Sequence, residues 1–328
     1  MSSRLRNLAG LALVAATVAG CGTTSDHSSR IALMALATPT PQLATPAPRQ
    51  QTPPSGSSAL CTDSLRPPAT LPTPGNLPAG SFMARIRQRG YLIAGVNAAL
   101  LNFGYYNPST GKIEGFEIDL VRELARAIFG NPNAYRTVAL TVSQREPFVE
   151  QGKVDVVADA VTMTCARSQK IDFSTVYYDA KQRVLVPLNS PAKSIGDLVG
   201  KRVCATANST PVSVMQHMSR PPDIYPAPQA IDCLVYMQQG RIAGISTDSS
   251  ILLGFVAQDP NTTIVGPPVA DVPYGMEISK AHPEFVRFVN GVLAQLERDG
   301  TWQRLYTAWL GDLTHGPAPA PPKPQYGG

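Results

Sequence analysis

Only 16% of the 328 residues are charged, and no block of Lys or Arg occurs. A nucleic-acid surface needs a basic stripe or patch, so that class of partner is excluded. Histidine is scarce, with four at positions 27, 217, 282 and 315 and none at H-x-x-x-H spacing. No two cysteines stand at C-x-x-C spacing. With neither pattern there is no zinc motif, and neither a metal nor another cofactor is expected. The phosphate-cradling G-x-x-x-x-G-K-[ST] is also missing, which argues against nucleotide binding. Ser190-Pro191-Ala192-Lys193 matches S-x-x-K, but no S-D-N or K-T-G accompanies it, so it reads as chance.

Proline, by contrast, is abundant, and much of the total of 31 lies in two tracts. Residues 22–79 are rich in Pro, Thr, Ser, Ala and Gln, and THGPAPAPPKPQYGG follows Gly311. Proline this dense supports neither helix nor central strand. Residues 21–80 therefore read as an extended, partly polyproline-II tether, and 316–328 as a disordered tail. Ahead of the tether, Arg4 and Arg6 precede an apolar run over 8–19 and then Val18-Ala19-Gly20-Cys21. A basic start, a short apolar stretch and small residues describe a secretory signal peptide over 1–20, too short for a membrane span. VAGC resembles the lipobox of bacterial lipoproteins. It implies acylation of Cys21 and an exported protein anchored to the outer face of the cytoplasmic membrane. Removing Arg4 and Arg6 with the leader lowers the net charge from +5 to +3.

Cys61, Cys165, Cys204 and Cys233 remain, an even number in an exported chain, which favours disulfides. Three connectivities are possible. We favour Cys204–Cys233, both in the middle segment, and Cys61–Cys165, which would staple the end of the tether to the first domain.

The folded region reads as about 81–312. ARIRQRGYLIAGV (84–96) is a short helix stopped at Gly90, then an apolar strand. NPSTGK is turn chemistry. Phe116, Leu120, Leu124 and Ile128 recur every four residues, with Val121 and Ala125 beside them, which is a helix with one apolar face. VALTV (138–142) reads as a strand, and PFVEQGKVDVVADAV as a helical turn, a glycine break and a buried strand. After Tyr178 the strand–helix pattern restarts through QRVLVPL, KRVCAT and RIAGIST. It ends in the strand PYGMEIS and a long helical region broken near Gly300. Alternation of this kind predicts an α/β architecture with a mostly parallel sheet. Within it, the apolar run 155–161 breaks into Thr162-Met163-Thr164 and then Arg167. Short donors and a guanidinium at a strand's carboxyl end face the crevice where α/β proteins hold ligands.

GKIEGFEIDLVRELA, QGKVDVVADAVTMTCARSQKIDFSTVYY, GKRVC, PYGMEISK and FVNGVLAQLERDGTWQRLYTAWLG occur in order. Together they resemble the polar amino-acid-binding proteins of bacterial ABC importers, over roughly 78–311. The resemblance implies a type II periplasmic-binding-protein fold: two α/β lobes, two hinge strands and a ligand cleft between the lobes. Lobe one would be 81–178 plus 273–315, and lobe two 182–268, with crossings near 178–181 and 269–272.

It also implies a site. Ala160 and Thr162 supply backbone and hydroxyl donors to the ligand's α-carboxylate, and Arg167 a bidentate pair, because a planar guanidinium matches a carboxylate fork. Asp248 meets the α-ammonium; the competing reading is an N-cap of the helix that follows. Thr247 lies beside it. Thr206, Ser209 and Thr210 open a lobe-two helix and complete the cage. Asn97, Leu101 and Phe103 bracket the ligand. Arg145 falls where relatives that bind glutamate or aspartate place an arginine against the second carboxylate, which predicts an acidic ligand with asparagine or glutamine weaker. The competing reading points Arg145 to solvent.

The expected partners are a small amino acid and an ABC permease, with the chain a monomer held to the membrane by its lipid. Two other readings share the fold. One is a sensor that passes the liganded state to a membrane receptor. The other is an exported dehydratase-like enzyme, which would need an acid or base in the cleft; the histidines map outside it.

Overall fold

The structure is a computed structural model and describes residues 59–314 and 316–327. The signal peptide and Cys21 lie outside the described residues. Among those described, no helix is long and apolar enough to cross a membrane.

The first lobe opens with α1 (Phe82–Arg89). Ser81 caps it by accepting from the Ala84 amide, and Gly90 stops it at φ 92°. β1 (Leu92–Val96) leads into a small antiparallel ribbon of β2 (Ala99–Leu100), β3 (Gly104–Asn107) and β4 (Lys112–Glu114). α2 (Phe116–Phe129) buries Phe116, Leu120, Val121, Leu124, Ala125 and Ile128. Gly115 enters that helix at φ 140°, where a Cβ would lie 2.2 Å from the Phe103 carbonyl oxygen, so only glycine fits.

β5 (Tyr135–Ala139) ends earlier than the strand expected over 138–142. Thr141 and Gln144 form a reciprocal capping box that starts a 3-10 turn, Val142–Gln144, and takes those residues out of the sheet. α3 (Arg145–Glu150), β6 (Val156–Ala158), α4 (Cys165–Ser168) and β7 (Asp172–Phe173) follow. The second lobe holds most of β8 (Tyr178–Pro187), then β9 (Arg202–Thr206), α5 (Thr210–Gln216), β10 (Asp223–Ala227), α6 (Ala230–Gln238), β11 (Gly244–Asp248), α7 (Ser249–Gln258) and β12 (Thr262–Tyr274). β13 (Glu277–Ile278), α8 (Pro283–Arg298) and α9 (Thr301–Thr314) return to the first lobe.

One five-stranded sheet has the order β5-β1-β6-β13-β7, the other β10-β9-β11-β8-β12. β1 runs parallel to β5 and β6, and β9 to β10 and β11. β8, which carries the chain into the second lobe, runs antiparallel to β11 and β12, and β13 runs antiparallel to β6 and β7 in the first. The sheets are therefore mixed rather than mostly parallel. β8 and β12 pair from Tyr178↔Tyr274 to Gln182↔Ala270, shift register, and continue in lobe two. An exposed ion pair of 2.6 Å links Lys181 to Asp271 between them.

Beside this crossing lies an aromatic cluster. Phe103, Tyr178 and Tyr274 meet at 5.1 to 6.3 Å, and Trp302 Nε1 donates to the Tyr177 carbonyl at 2.9 Å. Each fully buried large apolar side chain of this kind contributes about 1.5–3 kcal/mol.

From residue 59 onward the proline-rich arm lies against the first lobe, and the tail lies against the arm. Leu60 bridges Thr164, and Cys61 bonds Cys165. Ser64 N donates to the Gln325 carbonyl at 3.0 Å, and Gly327 N to the Ser64 carbonyl at 3.1 Å. Buried Asn290 donates to Ser64 Oγ and to the Leu65 carbonyl, and accepts from Thr175 N, all at 2.7–2.8 Å. Proline removes donors but keeps carbonyls, so a proline-rich segment can lie along a surface without joining a sheet. The second favoured disulfide, Cys204–Cys233, ties β9 to α6.

Candidate functional site

Where β1, β6, β9 and β11 end, residues of both lobes line a narrow cleft. Asn97, Arg145, Ala160, Thr162, Arg167, Thr206, Ser209, Thr210, Thr247 and Asp248 all line it.

Leu101 and Phe103 do not. The chain turns at Asn102, with a left-handed φ of 65°, and Leu100 lines the cleft instead. Leu101 lies against Gly254 of α7, and Phe103 is 1% exposed within the aromatic cluster. Asn97 is partly committed, because its Oδ1 accepts from Ala99 N at 2.8 Å.

Arg167 sits in the single turn of α4, whose N-cap Thr164 accepts from its amide. Its Nε donates to Glu146 Oε1 at 3.1 Å. Its Nη1 donates to the Thr162 carbonyl at 2.9 Å and to Thr210 Oγ1 of lobe two at 3.2 Å. Nη2 has no protein partner among the described residues.

Ala160 departs from its expected role. Its amide donates to Glu117 Oε1 at 2.7 Å, so the group left for a ligand is its carbonyl, an acceptor. Its φ of 47° is unusual for a residue with a side chain.

Arg145, at the start of α3, does not point to solvent; it is 7% exposed and lines the cleft. Nor is it an uncompensated cation. Its Nε donates to Asp159 Oδ2 at 2.7 Å, and Asp159 is fully buried. Burial disfavours the guanidinium's charge, but the charge and hydrogen bond of Asp159 outweigh it, and the group is held above its ordinary pKa. Nη1 and Nη2 of Arg145 have no protein partner among the described residues.

Asp248 stands at the N-cap of α7 but makes no capping bond. Oδ2 accepts from the Tyr274 hydroxyl at 2.7 Å, while Oδ1 is buried with no partner among the described residues. Burial pushes its pKa up to about 6, against the Tyr274 bond and the charges of Arg145 and Arg167. Ser209 Oγ is likewise buried with no partner among the described residues.

Sequence reasoning missed Leu100, Pro211, Gln229, Ala230 and Ile251, which also line the cleft. Gln229 and Ala230 follow the carboxyl end of β10, so the strand-end rule could have found them. It also missed three fully buried acids near the arginines: Asp159, Glu117 and Glu277. Glu117 accepts from the Tyr177 hydroxyl as well as from Ala160, and burial raises it to about 7. Among the described residues neither oxygen of Glu277 has a hydrogen-bond partner, and burial raises it to about 8. Asp159 was legible as an acid inside the apolar run VVADAV. Among the described residues no group of His, Cys, Asp or Glu could hold a metal, and His217 and His282 lie off the cleft.

Two lobes, paired hinge strands and a polar cleft define a binding protein that captures a small solute between its lobes. The chain belongs to the bacterial extracellular solute-binding proteins, family 3, whose profile matches residues 92–312. The ABC transporter glutamine-binding protein GlnH of Bacillus subtilis is 28% identical over 70% of this chain and 84% of its own. The glutamate-binding protein GluB of Corynebacterium glutamicum is 26% identical over 74% and 86%. Among solved structures, ArgBP from T. maritima aligns with a TM-score of 0.65 at 28% identity, over 70% of this chain and 99% of its own. An ancestral arginine-binding protein bound to glutamine gives 0.64 at 29%, over 68% and 99%. The fold is thus that of type II periplasmic binding proteins, and the family's members bind solutes rather than catalyse reactions, which sets the dehydratase reading aside.

Proposed function

We propose that the chain captures a polar L-amino acid outside the cell and delivers it to an ABC importer. Glutamate and aspartate are its preferred ligands, and asparagine and glutamine weaker ones. One observation carries this reading. Arg145, Arg167 and Asp248 line the same cleft, and among the described residues both Nη of Arg145, Nη2 of Arg167 and Oδ1 of Asp248 have no protein partner. An α-amino acid is a zwitterion, and this arrangement supplies a cation for one end and an anion for the other. In the reading, Arg167 and Thr162 take the α-carboxylate, and Asp248 with the Ala160 carbonyl takes the α-ammonium. Ser209 and Thr210 then close from lobe two. The Nη donors of Arg145 take the side-chain carboxylate.

Charge-assisted bonds are worth about 1.5–3 kcal/mol each. Two charged ends and a third contact account for a micromolar constant, about −8 kcal/mol. Asp159 offsets much of the Arg145 charge. The preference for acids therefore rests on donor geometry, and amides remain ligands. The names of the relatives, which bind glutamine or glutamate, support the same solute class. Acylated Cys21 would hold the protein at the outer face of the membrane, as a monomer.

The test is a thermal-shift screen against the twenty amino acids, followed by calorimetric titration of those that stabilise. Glutamate and aspartate above glutamine is the expected order. Stabilisation by a basic amino acid alone would overturn the role given to Arg145, and no response to any would overturn the whole reading.

A further inference from the structure

The segment that carries Arg167 is short of internal support. α4 is four residues long, one turn, too little to hold itself in water. Its leading segment is instead paired on two sides. On one side Met163 N donates to the Pro273 carbonyl at 3.0 Å, and Thr162 bridges Tyr274, at the end of β12. On the other lies the arm that precedes the folded lobes. Cys165 N donates to the Ala59 carbonyl at 2.9 Å and Cys61 N to the Met163 carbonyl at 3.2 Å, on either side of the antiparallel bridge Leu60↔Thr164. The Cys61–Cys165 bond closes this short ladder covalently, at the residue that begins α4. The arm is therefore pinned to the outer edge of the ligand loop by one β-bridge, its two flanking hydrogen bonds and the disulfide.

We propose that the arm at residues 59–61 and its disulfide are positioning elements of the binding site. They hold α4 in the register that presents Arg167 to the ligand's α-carboxylate. This rests on the assignment of Arg167 to that carboxylate. A guanidinium pair depends on angle as well as distance, so a turn free to pivot weakens the contact without removing the charge. Every amino acid carries the same α-carboxylate. Loosening α4 therefore weakens all ligands by one common factor and leaves their order intact, whereas a change at Arg145 alters the order.

The two bridges differ in access. Cys61 is exposed, while Cys204 and Cys233 are buried. A brief dithiol treatment of the folded protein can thus open the first bridge alone. The reductant gives up two electrons and two protons and closes to its own cyclic disulfide, leaving thiols at 61 and 165. Alkylation and peptide mass mapping establish which bridge opened.

The experiment compares untreated protein, protein with only this bridge opened, and the variant C61S with C165S. Calorimetric titration is run with glutamate, aspartate and glutamine. The expected result is a common rise in Kd of about tenfold, or 1.4 kcal/mol, with the ratios between ligands unchanged. Hydrogen exchange of the ligand-free protein supplies a second readout. The Ser168 and Ile171 amides, which bond Thr164 and Arg167 carbonyls at 3.0 Å, should exchange at least tenfold faster while amides of β1 keep their rate. A lowered Tm with unchanged Kd and unchanged exchange at Ser168 and Ile171 would make the bridge a staple and overturn the proposal. If untreated protein binds no amino acid, the assignment of Arg167 falls. Faster exchange would then leave the arm as the support of α4, and unchanged exchange would remove that as well.

Discussion

The Tyr274 hydroxyl donates 2.7 Å to Asp248 Oδ2, tying the lobe-one end of β12 to the end of β11 in lobe two. Ser250 Oγ, at 2.8 Å from the same hydroxyl, completes a buried chain of three groups. A carboxylate at 4% exposure stays available only if something fixes it while the ligand is absent. Tyr274→Phe removes the fixing bond and keeps the ring. It should weaken every amino-acid ligand by about tenfold, the worth of one hydrogen bond to a charged group, measured by calorimetric titration.

Asp248 also makes binding depend on pH. Its pKa is raised to about 6, so the ionised form that an ammonium requires is lost as pH falls through that value. Affinity should be flat from pH 7 upward and decline below about 6. Asp248→Asn should bind weakly at every pH and lose the inflection, read from Kd at half-unit intervals.

Glu277 governs stability at the other end of the range. Its folded pKa is raised to about 8, chiefly by burial, opposed by Arg167 and Arg145 and reinforced by Glu146 and Asp159. A raised carboxyl contributes stability that is complete below its unfolded pKa and lost as pH rises through the folded one. The ligand-free Tm should therefore fall between pH 5 and 9. Glu117, raised to about 7, and Asp248, raised to about 6, add to the fall at lower pH. Glu277→Gln should therefore remove the part that extends to pH 8 and raise the Tm at pH 9 by several degrees, 1 kcal/mol being about 2–4 °C at this size.

Arg145→Met separates affinity from folding. It strands Asp159, a fully buried carboxylate, and breaking a buried pair costs about 3–5 kcal/mol. The double variant with Asp159→Leu should recover most of that stability. Glutamate binding should remain at least tenfold weaker in the double variant, with glutamine affected less. Recovery of glutamate affinity along with stability would show that Arg145 acts through packing alone.

The repeating pattern of strands and helices, the apolar face of α2, the glycine stops and the order of the ligand-loop motifs were all readable from residue order. They depend on neighbours within a few positions. Even the arginine and hydroxyls after β6 announced themselves, because a buried strand that ends in Thr162 and Arg167 needs a reason. Residue order also marked the proline tracts as unable to form helix or sheet, but not that the arm from Ala59 and the tail to Gly327 would lie against each other. That contact joins positions more than 250 apart. The sheet end where Asp248 meets Tyr274, the pairing of Arg145 with Asp159, and the isolation of Glu277 were likewise set by tertiary structure. A charge's partners and its hydration are properties of the space around it, and that space is assembled from strands distant in the chain.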